Sequence, residues 1–174
     1  KENQLAHISN NLVNGFIFQI DTGPDGAIRK FTFVSDSISH FIGIKPEELY
    51  ADSNALYGLV DPEDLIIQKE LETQAIKKME MLMVEGKFIL QDGSQKFFQS
   101  TATPHINSDG HLLFDGIIVD IGKLKKIEEE LINAKHKAEE SNRMIASFLT
   151  NLSHEVRTPM NGIIGFMDML KNVN

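Results

Sequence analysis

One ten-residue stretch decides how the C-terminal part of this chain is interpreted. It runs Ser153-His154-Glu155-Val156-Arg157-Thr158-Pro159-Met160-Asn161-Gly162. His154 is followed directly by a carboxylate, and Thr158 lies four residues further on, one turn along a helix. Pro159 lacks a backbone donor, and its ring crowds the carbonyl four residues back, which belongs to Glu155. We therefore expect a helix that is kinked within one turn of His154.

The residue types around His154 fit phosphoryl transfer to an imidazole. The nucleophile in such a reaction is a neutral ring nitrogen, which histidine offers near neutral pH. The ring becomes more cationic as it attacks, so a nearby carboxylate that accepts the other N–H assists the reaction. Glu155 is the candidate for that carboxylate, while Arg157 and Thr158 add a cation and a hydroxyl. The alternative is an ordinary surface histidine in a charged helix.

With its flanks, the stretch resembles the phosphoacceptor box of sensor histidine kinases, written H-E-[IVL]-R-[TN]-P. The matching flanks are Phe148-Leu149-Thr150-Asn151-Leu152 and Ile163-Ile164-Gly165-Phe166. The resemblance implies that His154 is the phosphoacceptor, Glu155 its general base, and Thr158 a residue used when the kinase acts as a phosphatase. The following Met160-Asn161-Gly162 is common in hybrid kinases, and the resemblance leaves open whether the parent is one.

A coiled coil is predicted before this box. From Lys123 onward the apolar residues step by three and four, with no glycine or proline between 123 and 158. This seam consists of Leu124, Ile127, Leu131, Ala134, Ala138, Ser141, Ile145, Phe148 and Leu152. The narrow, charge-flanked pattern predicts a parallel homodimer through residues 124–152, weakest at its small central residues. The alternative is an amphipathic helix packed on its own domain.

Nearer the N-terminus, residues alternate between a buried and an exposed face, as they do in β-strands. Phe16, Phe18 and Ile20 are expected on the buried face of one strand, and after a turn at 23–26 residues 28–34 form the returning strand. Three more strands are predicted later in the chain, over residues 81–91, 95–104 and 111–121. Residues 2–13 have a helical period instead.

Short helices joined by turns are predicted for residues 36–79. Asp36 is placed to cap the first one, and Pro46 opens the next with acids in its first turn. Asp61-Pro62-Glu63-Asp64 leads into a longer helix. The apolar stripe predicted for that helix consists of Ile67, Leu71, Ile76 and Met79. The acids at 61–64 are also compatible with a cation site, but capping explains them better.

This element order predicts an α+β domain with a five-stranded antiparallel sheet, and it resembles a PAS domain, a sensory and dimerising fold. The segments that carry the resemblance are residues 14–18, 43–49, 61–64, 92–94 and 116–121. We therefore divide the chain into a PAS sensor domain over 1–122, a coiled-coil signalling helix over 123–147, and the first helix of a truncated dimerisation and phosphoacceptor domain over 148–174.

Composition limits the ligands and partners. The 174-residue chain has no cysteine, which excludes disulfides, thiolate metal sites and the photoactive flavin class of PAS domains. Haem would need an axial ligand, but His7, His40, His105 and His111 are scattered without ligand spacing. The PAS ligand is therefore unknown. Residues 1–122 carry 9 basic and 18 acidic side chains, so no nucleic-acid partner is expected.

Location and completeness are also expectations from the sequence. There is neither an apolar run of membrane-spanning length nor a secretory leader. The chain starts at Lys1 rather than methionine, so we expect a piece of a longer protein. We expect a cytoplasmic location, with a membrane anchor upstream in the parent left open.

Together the two resemblances imply the sensing and phosphoacceptor portion of a two-component sensor histidine kinase. His154 would be phosphorylated from ATP and Mg²⁺ by an ATP-binding catalytic domain absent from this sequence, and would pass the phosphate to an aspartate of a response-regulator receiver domain. No phosphate-cradling glycine loop is present, so the chain alone is expected to be inactive and to hold no cofactor. The alternative is a non-catalytic PAS module for ligand binding or dimerisation with a coiled-coil connector.

Overall fold

A computed structural model describes residues 14–24, 26 and 28–171 of the chain. Its strands are β1 (Gly15–Asp21), β2 (Lys30–Val34), β3 (Leu82–Ile89), β4 (Gln95–Ile106) and β5 (Leu112–Asp120). Its helices are α1 (Ser37–Ile42), α2 (Pro46–Ala51), α3 (Asn54–Tyr57), α4 (Pro62–Lys78) and α5 (Gly122–Lys171). The helix predicted for residues 2–13 lies outside the described residues.

The five strands form one antiparallel sheet in the order β2-β1-β5-β4-β3, which confirms the predicted α+β class. Strand β1 pairs with the central strand β5, and Phe18 lies opposite Gly116. A β-carbon on Gly116 would overlap the ring of Phe18 and lie 2.9 Å from the carbonyl oxygen of Thr101. Glycine is therefore what allows a large aromatic ring to cross the middle of the sheet.

The core lies between one face of this sheet and helices α1 to α4. Phe16, Phe18 and Ile20 are all buried, as their alternation along β1 predicts. Phe88 and Phe98, on β3 and β4, stack with their ring centroids 4.2 Å apart. Such aromatic pairs add to the stability that burial of the rings supplies.

The stripe predicted for α4 is confirmed at Leu71 and Ile76, which pack against the buried core, and is wrong at its other two positions. Ile67 and Met79 are 52% and 44% exposed, whereas the buried residues of this helix are Glu72 and Ala75. A charged residue occupies the inner face because the guanidinium of Arg29 lies 2.6 Å from its carboxylate. An ion pair of this kind compensates for the loss of water around both charges, and no apolar periodicity announces it.

Two local predictions also change. The returning strand begins at Lys30, and Ile28, where it was predicted to begin, is 55% exposed. Asp36 stands at the N-cap of α1, but its backbone is already helical and its side chain makes no capping hydrogen bond. By contrast, Asp61 caps α4 as predicted, since its carboxylate accepts from the backbone N–H of Glu63 at 3.0 Å.

Helix α5 leaves the sheet directly after β5. The carboxylate of Asp120 accepts from the backbone N–H of Gly122 at 2.7 Å, and Lys125 Nζ lies 2.6 Å from Glu85 Oε2 on β3. The described residues up to Lys125 form one compact unit, and those from Lys126 onward form a second. Within the described ranges, no helix combines the length and the apolar character that crossing a bilayer requires.

Candidate phosphoacceptor site

The three predicted site residues lie on the exposed surface of α5, in one helical turn. His154, Glu155 and Thr158 are all exposed in the single chain. Since residues four apart share a helix face, Thr158 lies one turn beyond His154 on the same side. The structure therefore brings these two predicted residues together, whereas Glu155 projects about 100° away around the helix.

A direct hydrogen bond joins this pair. Thr158 Oγ1 donates to the backbone carbonyl of His154 at 3.1 Å. Thr150 and Ser153 make the same bond to the carbonyl four residues before each of them, both at 2.9 Å. The turns that carry the histidine are thus held by backbone and by three hydroxyl groups, and the imidazole is left facing solvent.

Pro159 lies inside α5, and the helix continues through it to Lys171. Because proline has no N–H, the carbonyl of Glu155 loses the amide that would normally bond to it. The Thr158 hydroxyl acts on the neighbouring carbonyl, that of His154. Since the helix continues to Lys171, it is not broken at the proline. The kink expected there stays a prediction.

The imidazole ring of His154 faces solvent in the single chain. Among the residues that the structure describes, no hydrogen bond or ion pair involves its ring or the carboxylate of Glu155. An exposed imidazole with both nitrogens unobstructed can be approached in line by a phosphoryl donor. In the single chain the imidazole of His154 is therefore accessible to a second molecule.

The predicted seam is unpartnered in the single chain. Its large apolar residues run from 38% exposed at Leu152 to 68% at Leu131. The strip continues past the box through Val156, Met160 and Ile163, each more than half exposed. His154 is two residues beyond Leu152, about 200° around the helix, so it points away from the seam. A partner helix that covers the seam would leave the histidine accessible.

A polar cluster in the PAS-like unit was missed by the sequence analysis. Burial raises the pKa of the Tyr57 hydroxyl to about 12. Burial also raises the pKa of the Glu72 carboxyl, while its ion pair with Arg29 works in the opposite direction. A cavity of about 240 Å³ lies beside them, bordered also by Gln68 and Lys69. A single glutamate within a helix carries no pattern that could have revealed this cluster.

Two further histidines each lie close to a carboxylate of the sheet. His111 Nδ1 lies 2.9 Å from Asp21 Oδ2, and His105 Nδ1 lies 3.4 Å from Asp115 Oδ2. His7 lies outside the described residues. Across the described part of the chain, no three acidic or histidine side chains are grouped as a metal site would require. Asp61 also pairs with Lys87 at 3.3 Å, which agrees with its role as a cap.

Two protein families match the sequence. Residues 31–118, half of the chain, match the PAS fold. Residues 144–173 match the His Kinase A (phospho-acceptor) domain, and this segment contains the whole box around His154.

Related proteins point the same way. The cell-division control histidine kinases PdhS of Brucella ovis and Brucella canis are each 44% identical to the chain over 57 residues, 33% of the chain. The matched part spans only 6% of the length of these relatives.

Solved structures support the fold. A sensory box histidine kinase/response regulator from Burkholderia thailandensis aligns with a TM-score of 0.55 at 18% identity, covering 80% of this chain and 99% of that one. The N-terminal domain of a diguanylate cyclase with PAS/PAC sensor from Marinobacter aquaeolei aligns with a TM-score of 0.52 at 12% identity, covering 64% and 98%. At such identities the likeness concerns the fold alone. By its family matches, this chain belongs to the PAS fold family and joins that sensor domain to the phospho-acceptor segment of a histidine kinase.

Proposed function

We propose that this chain is the sensing and phosphoacceptor portion of a two-component kinase, and that His154 receives the γ-phosphoryl group of ATP. The observation that carries the proposal is the exposed imidazole of His154 within the segment that matches the phospho-acceptor domain. The ATP-binding catalytic domain and its Mg²⁺ are supplied by another part of the parent protein.

In the proposed reaction, a neutral nitrogen of His154 attacks the γ-phosphorus. The N–P bond forms as the bond from that phosphorus to the β–γ bridging oxygen breaks, and ADP leaves. The imidazole N–H that becomes acidic passes its proton to Glu155, which acts as the general base. Because Glu155 projects away from His154 in the free helix, a rotation of both side chains precedes the transfer.

The phosphoryl group then passes to an aspartate of a response-regulator receiver domain, which docks on the exposed face of α5 around His154. Thr158 serves the reverse task in this proposal, by orienting the water that hydrolyses the aspartyl phosphate. Its position one turn from His154 on the same face supports that role.

The working state is proposed to be a parallel homodimer through residues 124–152, with residues 1–122 as sensor, 123–147 as signalling helix and 148–174 as the start of the phosphoacceptor domain. The exposed seam supports this arrangement, since contiguous apolar strips of this size mark interaction sites. The phosphoacceptor family match also supports dimerisation in general.

Mass spectrometry of the parent protein tests the proposal. After incubation with ATP and Mg²⁺, digestion at neutral pH should give a phosphorylated peptide that contains His154. Phosphate found on another side chain, or none in a parent that hydrolyses ATP, would support the alternative of a non-catalytic PAS module with a coiled-coil connector. The gene sequence beyond Asn174 offers a second check, because a further amphipathic helix and an ATP-binding domain should follow.

A further inference from the structure

The seam of α5 is flanked by charges whose signs follow an order. In heptad terms Leu124, Leu131 and Ala138 occupy the first core position, a, and Ile127 and Ala134 the second, d. The two flanking positions, g and e, then carry charges over the first part of the seam. They are Lys123, Glu130 and Lys137 at g, and Glu128 and Lys135 at e.

Glu130 and Lys135 do not meet within one chain. Five residues turn the helix through about 140° beyond a full turn, so these side chains lie on opposite flanks of the seam. Both are exposed, and the contact of Lys135 in its own chain is with Glu139, at 4.0 Å. The Lys135 side chain is 75% exposed, which leaves it able to reach a second chain.

We propose that these flanking charges select a second copy of this chain as the partner, parallel and in exact register. The inference rests on the proposed homodimer and adds what fixes its alignment. In a parallel pair each g residue faces the e residue five positions later in the other helix. Glu130 then meets the partner's Lys135 on both sides of the dimer, and Lys123 meets the partner's Glu128.

A slip by one heptad removes every one of these attractions. On one side Lys123 would face the partner's Lys135, and on the other side Glu130 would face the partner's Glu128. Lys137 would likewise face the partner's Lys135. Like charges placed opposite one another are unfavourable, so the slipped pair is penalised on both flanks.

The middle of the apolar seam adds little to this discrimination. Its central positions are Ala134, Ala138 and Ser141, which are small and bury little area in any alignment. The neighbouring flank positions Met144 and Leu149 are uncharged and both more than half exposed. Register is therefore set before the middle of the coil, by the charges between residues 123 and 137.

A charge exchange tests the inference in the 174-residue chain. Glu130→Lys places lysine at both flanking positions, and Lys135→Glu places glutamate at both, so each variant repels itself and attracts the other. One variant is labelled with ¹⁵N, the two are mixed, and native mass spectrometry counts the dimers. The mixed dimer should rise from the random half to about four-fifths or more, because a gain of about two- to threefold at each of four exchanged contacts compounds.

Matched controls carry equal changes on the opposite face. Glu129→Lys mixed with Arg143→Glu should give the random half, since both positions face away from the seam. The excess of mixed dimer should shrink as salt is raised, because exposed charges are screened. Dimers that mix at random overturn the register inference alone, and an antiparallel pair would give that result. If the unmodified 174-residue chain is monomeric, both this inference and the proposed homodimer are overturned. Neither outcome bears on phosphorylation of His154.

Discussion

The hydroxyl of Thr158 donates a hydrogen bond to the backbone carbonyl of His154, at 3.1 Å. The residue proposed for dephosphorylation is therefore tied to the backbone of the residue proposed to carry the phosphate. A hydroxyl that donates to a carbonyl keeps lone pairs that can accept from water. The same bond can instead serve only to support the helix beside Pro159, and these two roles make different predictions.

Thr158→Ala in the parent protein should separate the two activities. We expect autophosphorylation at His154 to be unchanged and dephosphorylation of the response regulator to fall about 10- to 100-fold, as for one lost hydrogen bond near a reacting group, about 1.4–2.8 kcal/mol. Thr158→Ser is the matched control, because it keeps the hydroxyl. Both rates are measured in each variant. Equal losses of the two activities in the alanine variant would assign Thr158 a structural role alone.

The seam should hold the dimer together. Leu131→Asp places a charge at an interior seam position, and we expect the dissociation constant to rise at least about 100-fold, equal to about 2.8 kcal/mol. Ile132→Asp is the control, since this neighbouring residue is 64% exposed and lies off the seam. Light scattering over a range of concentrations measures both. A dimer that survives Leu131→Asp unchanged would place the interface elsewhere.

Gly116 should be required for packing of the central sheet. In Gly116→Ala the new methyl group meets the ring of Phe18 and the carbonyl oxygen of Thr101, so we expect a loss of about 1–3 kcal/mol in the free energy of unfolding. Gly162→Ala is the control, because nothing lies within 4 Å of the added carbon and alanine favours a helix. Urea unfolding monitored by circular dichroism measures both, and equal stability of the two variants would contradict the packing described here.

The ion pair of Asp21 and His111 should make stability depend on pH. The hydrogen bond to Asp21 raises the pKa of His111, and the same bond lowers the pKa of Asp21. The histidine contribution is complete below its unfolded pKa, about 6.5, and is lost as pH rises through the folded value. The aspartate contribution is complete above its unfolded pKa, about 3.9, and is lost as pH falls through the folded value. The pair is therefore strongest between these two unfolded values.

His111→Asn should accordingly lower the free energy of unfolding more at pH 5.5 than at pH 8.5, as measured by urea unfolding at both values. Asp21→Asn should reproduce that difference. The double variant should lose little more than either single one, because both remove the same interaction. A His111→Asn effect that does not vary with pH would show that the contact contributes nothing as an ion pair.

The parts of the fold that follow from simple periodicity were predictable. Phe16, Phe18 and Ile20 alternate because one face of β1 covers the core, and the long helix follows from steps of three and four residues. The prediction for α4 missed the burial of Glu72, because that burial depends on Arg29, 43 positions earlier in the chain. Long-range polar pairs of this kind leave no local pattern in a sequence.

The residues of the candidate site could be predicted from the sequence, whereas their contacts could not. His154 and Thr158 were placed on one face from their spacing alone, and the structure agrees. The structure adds the hydrogen bond from the Thr158 hydroxyl to the backbone carbonyl of His154. The separation of Glu155 from His154 around the helix follows from their adjacency, so under the proposed function these two side chains come together only when the catalytic domain docks.

The central claim is that His154 is the phosphoacceptor, and incorporation of label from [γ-³²P]ATP tests it most directly. The chain is incubated with ATP, Mg²⁺ and the catalytic domain of its parent, beside His154→Gln and the control His136→Gln, which alters another exposed histidine of α5. We predict that the unmodified chain and His136→Gln take up label that is lost in acid and kept in alkali, as expected for a phosphoramidate. His154→Gln should take up none. Label that persists in His154→Gln, or that withstands acid, would contradict the account.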